Sequence, residues 1–165
     1  MRLFRLLPLA LLLACKGTVL TEIQSAYVMS PTKDGPEHGG SISGHVGGSE
    51  LEFFGIGLSA RARIVQNGCA IPEIGPQVFL FHEDDQMWGF YGRLSLMAGL
   101  AGFEGTLTPV FTARLNPGFV FYPADDPLFL SIGLSGEIGL APVGNHHRGW
   151  LGIQIGFGFG GVGHG

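Results

Sequence analysis

Four stretches of this chain alternate, residue by residue, between large apolar side chains and small or polar ones. A period of two confines such segments to strands with two unlike faces. In residues 51–65, Phe54, Ile56, Leu58, Ala60, Ala62 and Ile64 share one face, and Gly55, Gly57, Ser59, Arg61 and Arg63 share the other. Residues 87–101 set Trp88, Phe90, Leu94, Leu96, Ala98 and Leu100 against Gly89, Tyr91, Arg93, Ser95 and Gly99. Residues 128–140 place Leu130, Ile132, Leu134 and Ile138 opposite Ser131, Gly133, Ser135 and Glu137. Residues 150–162 place Leu151, Ile153, Ile155, Phe157 and Phe159 opposite Gly152, Gln154, Gly156 and Gly158. Almost no 3.6-residue pattern follows residue 15, so the chain reads as all-β.

Weaker strands at 75–82, 104–114 and 117–122 are bounded by turn-forming runs such as Glu83-Asp84-Asp85-Gln86, Asn116-Pro117-Gly118 and Pro123-Ala124-Asp125-Asp126-Pro127. Residues 19–29 supply an eighth. An even count suits a closed, antiparallel up-and-down β-barrel of about eight strands. Residues 30–50 hold six Gly and two Pro and read as one long mobile loop, in which only 41–46 has strand character. The expected plan is a signal peptide at 1–14, a first strand and Gly-rich loop at 15–50, and the barrel at 51–165.

At the start of the chain Arg2 and Arg5 precede an apolar run over 6–13, broken only by Pro8. The run is too short to cross a bilayer as a helix and reads as an export signal. It closes on Leu12-Leu13-Ala14-Cys15, which resembles the lipobox of bacterial lipoproteins. That resemblance implies that Cys15 is diacylated on sulfur and becomes the mature N-terminus. By the same family's sorting rule, Lys16 after the cysteine favours the outer membrane. Cleavage by the general signal peptidase is the alternative, and it would leave Cys15 and Cys69 free to pair in an oxidising periplasm. The net charge is −4, and it becomes −6 once Arg2 and Arg5 are removed. No basic stripe is left for a phosphate backbone, so nucleic acid is not an expected partner.

The direction of the apolar faces decides the setting. A soluble barrel would present water with a surface of Gly and Ser nearly bare of Lys and Glu. A membrane barrel turns the apolar faces to lipid, and its small residues line a lumen that eight strands leave barely wide enough for side chains. The long stretches reach the roughly 9 to 11 residues that a tilted transmembrane strand needs. Phe53, Phe54, Trp88, Phe90, Phe121, Tyr122, Phe129 and Trp150 stand near strand ends, where interfacial girdles form.

In this pattern the mature chain resembles the small eight-stranded outer-membrane barrels. Together with the lipobox this resemblance implies a lipid-anchored outer-membrane protein, and the lipid and the even strand number both put its N-terminus at the periplasmic face. Its role would be structural or surface-interacting, through outer-membrane lipid and through loops that meet a protein or lipopolysaccharide. A soluble, lipid-tethered, lipocalin-like barrel holding a small apolar ligand is the second reading, and a lipid-modifying enzyme the third. Where Leu130, Ile132, Leu134 and Ile155 point separates the first two.

The inward face would gather Arg61, Arg63, Arg93 and Arg114 with Glu104 and Glu137. Such a cluster serves as a salt-bridged plug. Where a guanidinium stays unpaired it serves as an anion site. Two weaker groups are His82, Glu83, Asp84 and Asp85 on one turn, and His146 and His147 between the last two strands, expected on the same outer side. Adjacent side chains diverge and no ligand spacing is met, so neither a metal nor any cofactor is expected. No Gly-x-Ser-x-Gly, His-Glu-x-x-His or phosphate-binding loop occurs, and no catalysis is expected.

Overall fold

In the computed structural model eight antiparallel strands pair in chain order and close on themselves, β8 returning to β1. They are β1 (Thr18–Thr32), β2 (Gly35–Leu51), β3 (Phe54–Val65), β4 (Ala70–Glu83), β5 (Trp88–Phe103), β6 (Thr106–Phe121), β7 (Leu128–Gly139) and β8 (Gly149–Gly161). The structure describes residues 18–32, 35–51, 54–65, 70–83, 88–103, 106–122, 128–139 and 149–161. The strands run 12 to 17 residues, against about 5 to 6 in ordinary soluble sheets.

The register is tilted. Following Cα partners from Leu20 leads through Gly47, Gly57, Gln77, Ser95, Arg114 and Glu137 to Trp150. Leu151 pairs with Met29, so the path re-enters β1 opposite Ser30, ten residues beyond its start. This stagger ties the strands to a steep tilt and a narrow interior. It also means that residues at one height are not direct partners but lie about a residue further along each successive strand.

Two expectations about the strands are corrected. Residues 30–50 are not a loop: they contain β2, which pairs with β1 from Thr18↔Ser49 to Thr32↔Gly35. Its alternation is present but muted, with Ile42 and Val46 outward, Ser41, Ser43 and His45 inward, and Gly filling outward positions 40 and 44. Only residues 33–34 link β1 to β2, and Gly35 adopts φ +118°, which a side chain would resist.

The second correction joins 104–114 and 117–122 into the single strand β6. Asn116-Pro117-Gly118 is no turn. Asn116 is buried inside the barrel, and Pro117, which has no N–H to donate, coincides with a gap in the β6–β7 ladder between Leu115↔Gly136 and Gly118↔Gly133. Pro76 does the same in the β4–β5 ladder, between Ile74↔Ala98 and Gln77↔Ser95. One strand missed and one counted twice leave the total at eight. The strands between them are nevertheless turned end for end relative to expectation.

Candidate functional site

The outer wall is apolar. Leu130, Ile132, Leu134 and Ile155 are 47%, 57%, 60% and 61% exposed, so they point away from the lumen. Ile23, Ile42, Ile56, Ile74, Leu94 and Phe111 continue the same belt on the other strands. No outward-facing residue whose side chain is described is Asp, Glu, Lys or Arg. At the end that carries the start of β1 and the end of β8, Trp88 packs on Phe121 (4.6 Å between centroids) and Phe90 meets Phe119 edge-on (5.7 Å). Toward the opposite end the exposed Tyr27 hydroxyl lies 2.6 Å from His38 Nδ1.

The inner wall is polar in its middle, and its charges meet in two groups. Arg61 donates from Nε to Glu73 Oε2 (2.9 Å), from Nη2 to the same oxygen and from Nη1 to Glu137 Oε1. Arg63 Nη1 donates to Glu137 Oε2 at 3.1 Å, and Arg114 Nε lies 3.7 Å from Glu137 Oε1. Thr112 donates to the second oxygen of Glu73 at 2.6 Å. Arg114, fully buried, also donates to Ser135, Ser43 and Gln154 at 3.3, 3.2 and 3.2 Å.

Further toward the termini, Arg93 Nη2 donates to Glu22 Oε2 at 2.5 Å, and its guanidinium lies over the Tyr91 ring. Glu22 Oε1 accepts from Gln24 Nε2 (2.8 Å) and from the Ser131 hydroxyl. With its amide nitrogen turned to Glu22, Gln24 presents Oε1 to His45 Nε2 at 3.1 Å, so that nitrogen is the donor. His45 Nδ1 faces Gln77 at 3.0 Å. Most of these buried charges and amides satisfy one another, while Arg63 Nε, both Nε and Nη1 of Arg93, and Asn116 Oδ1 have no partner.

Apolar groups close both ends. Phe79, Tyr91, Val120 and Phe129, with Leu20 and Tyr122 against them, fill the lumen near the termini. Glycines make room for them: a Cβ at Gly55 would run into the Phe79 ring, and one at Gly158 into Phe129. Ala26, Val28 and Trp150 cover the ionic group from the other end. Phe129 and Trp150 therefore do not belong to the outer girdle, as their position near strand ends suggests, but are 3% and 5% exposed inside. The polar interior also overturns the lipocalin-like reading, which needs an apolar calyx.

Of the expected inward residues, Arg61, Arg63, Arg114 and Glu137 come together, whereas Arg93 joins a separate pair. Glu104 and Cys15 lie outside the described residues. His82 and Glu83 end β4, and Asp84, Asp85, His146 and His147 lie outside the described residues. The shared outer side expected for the two groups is corrected. The end of β4 lies at the termini end of the barrel, and the β7–β8 link leaves from the other.

Three participants escape a reading of the sequence. Glu22 stands in a strand whose alternation is weak, Glu73 precedes the expected start of its strand at 75, and His45 falls in the supposed loop. For all three the available signal is parity, since each shares a face with a nearby Gln or Ser: Gln24 two residues from Glu22, Gln77 four from Glu73 and Ser43 two from His45.

No protein-family model matches the chain, and no curated protein matches it. Solved structures do. The chain is similar to Neisserial surface protein A, with a TM-score of 0.66 at 11% identity over 87% of this chain and 99% of that one. It is similar to the N-terminal β-barrel domain of Pseudomonas aeruginosa OprF (0.55, 16%, 87% and 100%). Ail, the attachment invasion locus protein of Yersinia pestis, gives 0.53 at 14% over 88% and 99%. What is shared is the fold of the small eight-stranded outer-membrane β-barrels.

Proposed function

We propose that the protein is a plugged outer-membrane β-barrel, tethered by lipid on Cys15, that serves a structural or surface-interaction role without catalysis. The observation that carries this reading is the sorting of side chains: an uncharged apolar wall outside, and Arg, Glu, Gln and His bonded to one another inside. Such a molecule has its solvent inside out, which suits a bilayer and would aggregate in water. Each of the described lumen arginines is ion-paired to a glutamate, which supports the non-catalytic reading.

Surface contact has few places to occur. The links at the end away from the termini are residues 33–34, 66–69, 104–105 and 140–148. The last, with His146 and His147, is the longest and the leading candidate for touching a protein or lipopolysaccharide.

Fractionation and acylation test the proposal together. Wild-type protein should enter the outer membrane, shift in gel mobility on heating and incorporate a tagged fatty acid, and Cys15→Ala should lose the label. Equal labelling of both would remove the lipid tether, and recovery of the wild type as a soluble periplasmic protein would remove the barrel-in-membrane reading.

A further inference from the structure

Among the described residues the buried charges of the lumen do not balance. Four arginines, Arg61, Arg63, Arg93 and Arg114, are buried against three glutamates, Glu22, Glu73 and Glu137, and the next inward-parity carboxylate, Glu37 on β2, is only half-buried. Arg93, whose Nε and Nη1 have no partner, still has Glu22 to itself as a one-to-one ion pair, so the surplus of charge falls on the other group, where three guanidinium groups share two carboxylates.

Within that group the three arginines are not equally served. Arg61 and Arg114 each engage Nε, Nη1 and Nη2. Arg63 donates from Nη1 to Glu137, but its Nε has no partner, and neither has the hydroxyl of Ser41, its Cα partner on β2. Arg63 is 7% exposed and Ser41 5%. Trp150 lies over the Arg63 guanidinium at 5.6 Å and with Val28 screens it from the open end. A cation that only shares its carboxylate and an idle donor in a screened position are both costly.

We propose that Arg63 Nε and the Ser41 hydroxyl, beneath Trp150, hold a small monovalent anion of the halide class. Water would answer the hydrogen bonds but not the charge. A divalent anion such as phosphate would overshoot a surplus of one, and it would bring oxygens that need further donors. A halide accepts from both groups and restores neutrality.

The test uses the full-length protein, purified in detergent and unfolded by heat in sodium chloride or in sodium gluconate at equal ionic strength. The folded fraction is read from gel mobility. The midpoint should rise saturably with chloride, by about 2–4 °C at several times the dissociation constant. Ser41→Ala, a small change on a neutral residue, should raise the half-saturating chloride several-fold, and Arg63→Met should abolish the dependence. Bromide-soaked crystals should show an anomalous peak within hydrogen-bond reach of Arg63 Nε. Equal midpoints in the two salts, or bromide only elsewhere, would overturn the proposal. So would chloride dependence that is absent from the wild type and acquired in Glu104→Gln or Glu37→Gln, because that carboxylate would then supply the missing charge.

Discussion

Arg61 on β3 donates to Glu137 on β7, and with three strands between them on either side those two lie diametrically across the barrel. Arg93 on β5 and Glu22 on β1 are related in the same way. Two ion pairs thus brace the lumen crosswise, a quarter-turn apart. Each joins segments more than seventy residues apart in the chain, and each is reinforced by short-range neighbours such as Glu73, the Cα partner of Arg61.

Glu137 is the hub of the larger group, and removing its charge leaves Arg63 and Arg114 without a carboxylate and Arg61 with Glu73 alone among the described residues. Glu137→Gln should destabilise the fold by about 3–5 kcal/mol, the usual cost of breaking one side of a buried pair. Double-mutant cycles in heat-unfolding experiments should give coupling to Arg61 and Arg63 and none to Arg93, which belongs to Glu22. Coupling to Arg93 equal to that of Arg61 would contradict the two-group arrangement.

The lipid wall has its own test. Ile132→Arg places a cation in the middle of β7 and should cost about 2–4 kcal/mol, whereas Leu107→Arg near the start of β6 should cost roughly 0–1. Ile132→Leu should be near neutral. Folding yield into lipid vesicles measures the ranking, and equal loss from both Arg variants would argue against a depth-dependent apolar environment. Ser135→Arg is no benign control: Ser135 is fully buried beside Arg114, so a fifth guanidinium has neither room nor partner.

Glycine positions separate into required and optional. A side chain at Gly158 collides with the Phe129 ring, while one at Gly44 meets open space on the outer wall. Gly158→Val should lose about 1–3 kcal/mol by overpacking and recover part of it when combined with Phe129→Ala. Gly44→Val should fold as well as wild type. A Gly158→Val protein as heat-stable as the parent would show that the aromatic plug yields easily.

A lumen closed by Phe79, Tyr91, Val120 and Phe129 at one end and by Val28 and Trp150 at the other should not conduct. In planar bilayers the purified protein should give no steady current. Ohmic steps of constant size from the wild type would defeat the plug.

The alternation of 51–65, 87–101, 128–140 and 150–162 was enough to specify strands, faces and the inward Arg residues, because side-chain direction in a strand depends only on parity. β2 was hidden because Gly at 40 and 44 erased the large half of its pattern, and because Gly-rich polar runs ordinarily signal loops. Asn116-Pro117-Gly118 misled in the opposite direction. Closure of the barrel lets Asn116 bond Gln154 across the wall at 2.6 Å and lets the proline fall where one ladder lapses.

By itself, then, the sequence determined the class of fold and which side chains of the strongly alternating strands share a surface. Only the tertiary structure decided which ends those strands occupy and which charges meet. Direction depends on counting every strand without error. Height in the lumen depends on a stagger of ten residues accumulated around the whole circuit. Glu137 finds Arg61 rather than Arg93 for that reason: the tilt lifts β3 and β7 to a common level at those residues, and no local pattern in the chain encodes a tilt that exists only once the last strand pairs with the first.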